Sequence, residues 1–276
     1  MQDTLSREKN DAMASGKITY LSTAEAYDLW SEVYDTDGNF LQALDTIEMR
    51  SLLPQAISGI QPTRSTVSGD ESNPTSWKAV DLGCGTGRNT LHLLDFDVIE
   101  EVVGLELSPK MMEIAKQACE SKLSLTGKQK KLSFSTYDMI ATTSIPPASA
   151  TNADLVVSTL VLEHVPLDVF FQTCANILRP GGVLLMTNMH SEMGKISQAG
   201  FVDPKTGDKI RPVSYAHTLR DVIDTASGCG LELVSRESVK EVTVDEQLAE
   251  VLGHRGKKWI GVTVWFGGIW KKAEVD

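Results

Sequence analysis

From residue 77 onward, short apolar runs alternate with stretches whose apolar residues recur at helical spacing. WKAVDLG (77–83), EEVVGLEL (100–107), KLSFSTY (131–137), ADLVVST (153–159) and GVLLMTN (182–188) predict strands. RNTLHLL, PKMMEIAKQACES and PLDVFFQTCANIL predict helices between most of them, and Ser108-Pro109 is a cap followed by proline at the first helical position. Strand alternating with helix implies a parallel sheet with right-handed crossovers. Runs such as DLVVST are apolar on both faces, as strands covered by helices on both sides should be.

Upstream, TAEAYDLWSEVYD (23–35) carries apolar residues at 27, 30 and 34, with Thr23 as a cap, and FLQALDTIEMRSLLPQAI (40–57) continues as a second helix. GIQPTRSTVSGDESNPTS (59–76) is rich in Ser, Thr, Pro and Gly and predicts a flexible linker. The chain thus divides into a helical leader or lid over 1–58, a linker over 59–76, and a domain over 77–276. Its end departs from alternation: SYAHTLRDVIDTASGCG reads as helix, LELVSRESVKEV as strand, TVDEQLAEVLG as helix and KKWIGVTVWFGGIWKK as a long last strand. Before them lies a Gly- and Pro-punctuated insertion at about 189–216, placed where such sheets carry lids and binding loops.

Composition narrows the partners. The net charge of −11 repels phosphate backbones and anionic lipid, so neither nucleic acid nor a membrane surface is expected. KQKK (128–131), the densest basic stretch, reads as a solvated loop. No apolar run approaches the roughly 20 residues that span a bilayer, and the N-terminal stretch has no apolar signal core. Cys84, Cys119, Cys174 and Cys229 lack metal-ligand spacing and read as reduced thiols of a cytoplasmic protein.

VDLGCGTGRNT (80–90) carries the chemistry: a strand, a glycine turn and a helix start. Gly83, Gly85 and Gly87 let the backbone turn tightly and let a ligand approach it, and the new helix offers unpaired N–H groups. Dinucleotide sites use G-x-G-x-x-G with a pyrophosphate on the helix N-terminus. Here the spacing is G-x-G-x-G, Arg88 takes the place of the third dinucleotide glycine, and Asp81 precedes the first. A carboxylate there repels a pyrophosphate but suits an ammonium group. Glu106, at the end of the next strand, can accept two hydrogen bonds from a ribose diol, which points to a nucleoside without separating the two ligand classes. Asp138, after the third strand, can accept from an adenine amino group beside Met139, or it is simply a solvated acid.

With VDLGCGTG, LELS, YDM, DLVVSTLVLEHV (154–165) and LRPGGVLLM (178–186) in this order, the chain resembles a class I S-adenosylmethionine-dependent methyltransferase over roughly residues 20–276. The resemblance implies a Rossmann-like α/β fold, with a seven-stranded, mostly parallel sheet, an antiparallel last strand and an N-terminal helical lid. It implies S-adenosylmethionine as cofactor, with its methionine end at Gly83 and Gly85, its ribose at Glu106 and its adenine at Asp138. Asp81 would orient the turn and the amino group; Tyr27, Tyr34, Cys84, Leu107, Met111, Met139 and Ser158 complete the expected cofactor-binding set. YDLWSEVYDTDGNFLQALD, SQAGFVDPKTGDKIRPVSYAHT and GKKWIGVTVWFGG also resemble small fungal methyltransferases of secondary metabolism. Some of these act on nitrogens of peptide-derived metabolites and others on hydroxyls, so a small-molecule acceptor is implied.

An amine acceptor needs positioning and later proton loss, whereas a hydroxyl gains from a general base, for which His is the usual choice. His190, at the carboxyl edge of the sheet, His164, within LVLEHV (160–165), and His217, after the insertion, are the catalytic candidates. The alternative for each is a core or helix-end histidine satisfied by backbone. His92 reads as structural and His254 as a cap or solvated group. Tyr27, Trp30 and Tyr34 share one helical face, which is either core packing or a lid, and Met189, Phe201, Tyr215 and Trp265 could add an apolar pocket. Some relatives build a metal site from E-x-x-E-H on the LVLEHV segment; here Leu160 stands at the first position, so no metal is expected. Ser158, Thr159 and Leu160 are expected to wall the methionine portion through backbone contacts. Two other readings stand beside a methyltransferase: a catalytically silent S-adenosylmethionine-binding regulatory subunit, and a nicotinamide-dependent dehydrogenase, against which the glycine spacing argues. Methylation of protein or RNA also stays open.

Overall fold

The fold is that of a computed structural model, described over residues 17–60, 76–141 and 144–274. The expected linker (59–76) falls almost wholly outside these residues. The strands are β1 (Ile18–Tyr20), β2 (Trp77–Leu82), β3 (Ile99–Glu106), β4 (Lys131–Thr136), β5 (Ala153–Thr159), β6 (Leu178–Met189), β7 (Phe201–Val202), β8 (Lys209–Arg211), β9 (Leu231–Leu233), β10 (Val239–Thr243) and β11 (Thr263–Lys272). The helices are α1 (Thr23–Trp30), α2 (Phe40–Ser58), α3 (Arg88–Leu93), α4 (Pro109–Thr126), α5 (Leu167–Ile177), α6 (Ser191–Ile196), α7 (Leu219–Gly228) and α8 (Glu246–Val251).

The main sheet runs β4-β3-β2-β5-β6-β11-β10. β4, β3, β2, β5 and β6 are mutually parallel, and β11 lies antiparallel to β6. β9 pairs with Trp270–Lys272 on the edge of β11 that β10 also occupies, so β9 and β10 form one lane interrupted by a 3-10 turn at Arg236–Ser238. The sheet therefore has seven lanes with an antiparallel last strand.

Burial explains the apolar runs. All seven residues of β5 are buried, and its neighbours alternate between two cores. Ala79, Leu155 and Leu185 face Leu44, Leu52 and Leu93 on one side, while Val80, Val156 and Leu184 face Phe170, Phe171 and Val222 on the other. Each such Val, Leu or Phe side chain contributes roughly 1.5–3 kcal/mol when fully removed from water.

Several boundaries differ from the periodicity. The leader helix starts one residue earlier than expected, on a capping box in which Ser22 accepts from the Glu25 amide and the Glu25 carboxylate faces the Ser22 backbone. It ends at Trp30, and residues 31–37 turn, because Asp37 receives the Trp30 indole N–H at 2.9 Å and Thr86 bonds Asp35 at 2.9 Å. The final strand begins at Thr263 rather than 257, since Lys257–Trp259 forms a 3-10 turn.

The leader and the insertion meet. β1 adds in parallel to β8, whose hairpin partner is β7, giving a three-stranded sheet of its own. Trp30 stacks on Phe201 with centroids 5.1 Å apart, and Ala26, Met111 and Ile210 close this small core. Two segments far apart in sequence thus form one cap.

Candidate active site

The strand order reverses at β2, with β3 on one side and β5 on the other. Ligands in open α/β sheets bind at the carboxyl ends of strands around such a point. A cleft of about 690 Å³, counted to its mouth, lies there. Its floor is the glycine turn (Gly83, Gly85), one wall is the end of β3 (Glu106, Leu107), and a second is Asp138, Met139 and Ile140. Thr159, Leu160, Val161 and His164 form the third wall, and Tyr27 and Tyr34 of the leader cover it.

The glycines have separate reasons. Gly83 sits at φ +75°, and a Cβ there would meet Val161 Cγ2 at 2.3 Å. Gly87 sits at φ +91°, with the Ala115 backbone 2.9 Å from its missing Cβ, so α3 and α4 can pack closely. Gly85 sits at φ +55°, and its missing Cβ would point into space with nothing within 4 Å. A ligand can therefore lie directly against the Gly85 backbone.

Glu106 is buried at the cleft wall. Its Oε2 accepts from the Gly85 amide and its Oε1 from the Ser108 amide, each at 2.8 Å. Burial raises its pKa, and these backbone bonds pull it back. Each oxygen retains a lone pair for a donor in the cleft. Asp138 is exposed at the rim, where its Oδ1 accepts from the Ile140 amide at 2.9 Å.

Tyr27 and His164 close the cleft together. His164 Nδ1 lies 2.6 Å from the Val213 carbonyl, so that nitrogen carries the proton. Nε2 then accepts from Tyr27 Oη at 2.8 Å. Burial lowers the His164 pKa to about 4, so the ring is neutral at pH 7. Leader, LVLEHV turn and insertion are thereby tied through one imidazole. Leu160 adopts φ +57°, a conformation costly for a branched side chain, and its amide bonds Thr187 O at 3.0 Å.

Several predicted site residues lie elsewhere. Asp81 is buried behind the turn, where its Oδ2 accepts from Thr90 Oγ1 at 2.6 Å, and burial raises its pKa to about 6. It orients α3 on the turn but does not line the cleft. Cys84 is buried beside Gly104, and Ser158 donates to Leu82 O at 2.8 Å from within the sheet. Met111 supports the cap from below. These three also miss the cleft, because each side chain falls on the inward side of its turn or strand.

Of the histidines, only His164 lines the cleft. His190 caps α6, accepting from the Glu192 amide at Nδ1, and its Nε2 meets Glu241 at 2.9 Å. His217 stacks on Tyr215 and bonds Val165 O at 3.0 Å. Neither lines the cleft. Trp265 is fully buried, and Phe201 is committed to Trp30.

A second cavity of about 700 Å³ abuts the first and shares Tyr27, Tyr34 and Leu160 with it. Met189, Met193, Phe40 and Trp259 give it apolar walls, and the buried Glu163 also lines it. Burial raises the Glu163 pKa to about 7, against backbone hydrogen bonds from Glu163 itself and Met189.

One further acid escaped the sequence reading. Asp45 of α2 is fully buried and fully bonded: Oδ2 receives Arg88 Nη2 at 2.5 Å, and Oδ1 receives Thr187 Oγ1 at 2.5 Å and Trp265 Nε1 at 2.9 Å. Arg88 thus pins α2 to the helix that follows the glycine turn.

Sheet order, glycine turn and acid at the strand end define an α/β protein that binds a nucleoside-bearing cofactor. Residues 80–186 match the family model for a methyltransferase domain. An uncharacterised methyltransferase of Emericella nidulans is 46% identical over 260 residues, covering 91% of each chain. Among solved structures, the [4+2]-cyclase SpnF superposes with a TM-score of 0.59 at 16% identity, over 94% of this chain and all of that one. Geranyl diphosphate C-methyltransferase of Streptomyces coelicolor, in complex with Mg2+, geranyl-S-thiolodiphosphate and S-adenosylhomocysteine, superposes with a TM-score of 0.56 at 12% identity, over 81% of this chain and 76% of that one. The chain belongs to the class I S-adenosylmethionine-dependent methyltransferases. Its cofactor is S-adenosylmethionine, which supplies an activated methyl group on a sulfonium.

Proposed function

We propose that the chain methylates a small organic molecule, a secondary metabolite accepting the methyl on nitrogen or oxygen. The observation that carries this reading is the contact between the two cavities: Tyr27, Tyr34 and Leu160 border both. A cofactor in the first cavity then faces an acceptor in the second, both under the cap.

The groups that line the first cavity suit the cofactor. Gly85 leaves room against the backbone, Glu106 offers paired acceptors to a ribose diol, and Asp138 with Met139 stands where an adenine would end. Gly83 and the Thr159–Val161 backbone border the methionine side. The protein's contribution is orientation and water exclusion. His164 holds Tyr27 in place and is not itself a free base, since both ring nitrogens are engaged.

The test is incubation of the purified protein and S-adenosylmethionine with fractionated fungal metabolite extracts, read by mass spectrometry. A mass gain of one methyl on an extract component, together with S-adenosylhomocysteine, is the expected result. Stoichiometric cofactor binding with no methylated product from any extract would favour a silent regulatory subunit.

A further inference from the structure

Resting on the reading of the second cavity as the acceptor site, we propose that the acceptor is an organic anion with an apolar body, its carboxylate at the cavity mouth and an N–H or O–H at the inner end. Two polar atoms without partners support this. Glu163 Oε2 and Trp259 Nε1 are both buried and unbonded, in side chains that line the same cavity and are each 3% exposed. Buried polar groups in proteins are overwhelmingly paired, so an acceptor and a donor without partners, shielded within two side chains of one cavity, leave two hydrogen bonds that a ligand can complete once those side chains turn toward it. Glu163 offers a site for a hydrogen-bond donor; the indole N–H offers one for an anion.

The charge at the mouth fixes the anion. Lys209, Arg255 and Lys258 line the cavity, half-buried or exposed, while Glu163 and Met189, which also line it, are buried. Burial lowers the Lys209 pKa, and the charges that act on it, Arg211, Lys258 and Arg255, are all cations. Arg255 is partly occupied, donating to Asp37 O at 2.8 Å with the Asp37 carboxylate at 3.8 Å. Lys258 sits over the Trp259 ring at 4.9 Å. Cations gathered on one cavity of a chain with net charge −11 repel one another until an anion arrives. Trp30, Phe40 and Met193, which line the same cavity, suit an aromatic or aliphatic body.

The test uses matched ligands and the full chain loaded with S-adenosylhomocysteine. Binding of a set of aryl-alkyl carboxylates, with 4-hydroxyphenylacetate and phenylacetate among them, is compared with that of their carboxamides by ligand-observed NMR and calorimetry. Acids should bind about tenfold more tightly than their amides, the scale of one charge-assisted contact. The double variant Lys209→Ala/Lys258→Ala should lose that preference. The hydroxyl of 4-hydroxyphenylacetate should strengthen binding in the wild type but not in Glu163→Leu, which has no acceptor. Equal binding of acids and amides, no binding by any acid, or a preference that survives the double variant would overturn the proposal. Retained S-adenosylhomocysteine binding in those samples separates such a failure from a failure of the methyltransferase reading.

Discussion

Tyr27 donates its hydroxyl to His164 Nε2 across 2.8 Å, and His164 passes the restraint on to Val213 O through Nδ1. The acid–histidine pair at the end of LVLEHV is thus divided: His164 latches the cap, and Glu163 faces the neighbouring cavity. Tyr27→Phe keeps the ring and removes the latch. One neutral hydrogen bond contributes about 0.5–1.5 kcal/mol. The variant should bind S-adenosylhomocysteine several-fold more weakly by calorimetry, with faster hydrogen exchange across residues 23–30. Unchanged exchange would remove the latch from the account.

The same pair sets opposing pH responses. His164 is held neutral down to about pH 4, against an ordinary value of 6.5. Between those values the unfolded chain binds a proton that the folded chain refuses, so stability falls as pH drops through that window. Glu163 keeps its proton up to about pH 7, against an ordinary 4.5. Its contribution is fully present below 4.5 and is lost as pH rises through 7. Glu163→Gln should therefore raise stability at about pH 8, by roughly 3 kcal/mol at most, and change it little at about pH 4.5. Urea unfolding at the two pH values checks this.

Gly83 and Gly85 should separate folding from binding. Gly83→Ala drives a Cβ into Val161 at a positive φ and should lower the melting temperature sharply. Gly85→Ala meets no protein atom, so its folding cost is about 1–2 kcal/mol from φ alone. Its methyl enters the cleft, however, and cofactor affinity should drop by more than tenfold on the scale of a lost close contact. Equal affinity in Gly85→Ala and wild type would contradict the placement of the ligand.

Asp45→Ala leaves Arg88, Trp265 and Thr187 without their shared acceptor. Breaking a buried ion pair by removing one partner costs about 3–5 kcal/mol. Denaturant unfolding should show a loss of that order, and Asp45→Asn, which keeps an acceptor oxygen, should lose less.

The parallel sheet was legible because both faces of β5 and its neighbours are covered, so burial writes continuous apolar runs into the chain. Gly83, Gly85 and Glu106 were legible because backbone geometry and strand ends place them by local rules. Side chains whose direction depends on a turn were not: Asp81, Cys84, Ser158 and His190 lie within a residue or two of cavity-lining or strand-end positions, yet point into structure. Nor could spacing show the cation cluster. Lys209 comes from the hairpin, and Arg255 and Lys258 from the turns before the last strand, and only the tertiary fold brings them to one mouth. Asp45, Arg88 and Trp265 met for the same reason, across three distant elements.

In the proposed function, Glu106 holds the cofactor in the cleft at the glycine turn. Calorimetric titration of S-adenosylhomocysteine into wild type and Glu106→Ala tests it most directly, with melting temperature as the control for folding. Loss of hydrogen bonds to a charged group predicts affinity weakened by about 10- to 100-fold in a variant that still folds. Wild-type affinity in a folded Glu106→Ala protein would contradict the claim.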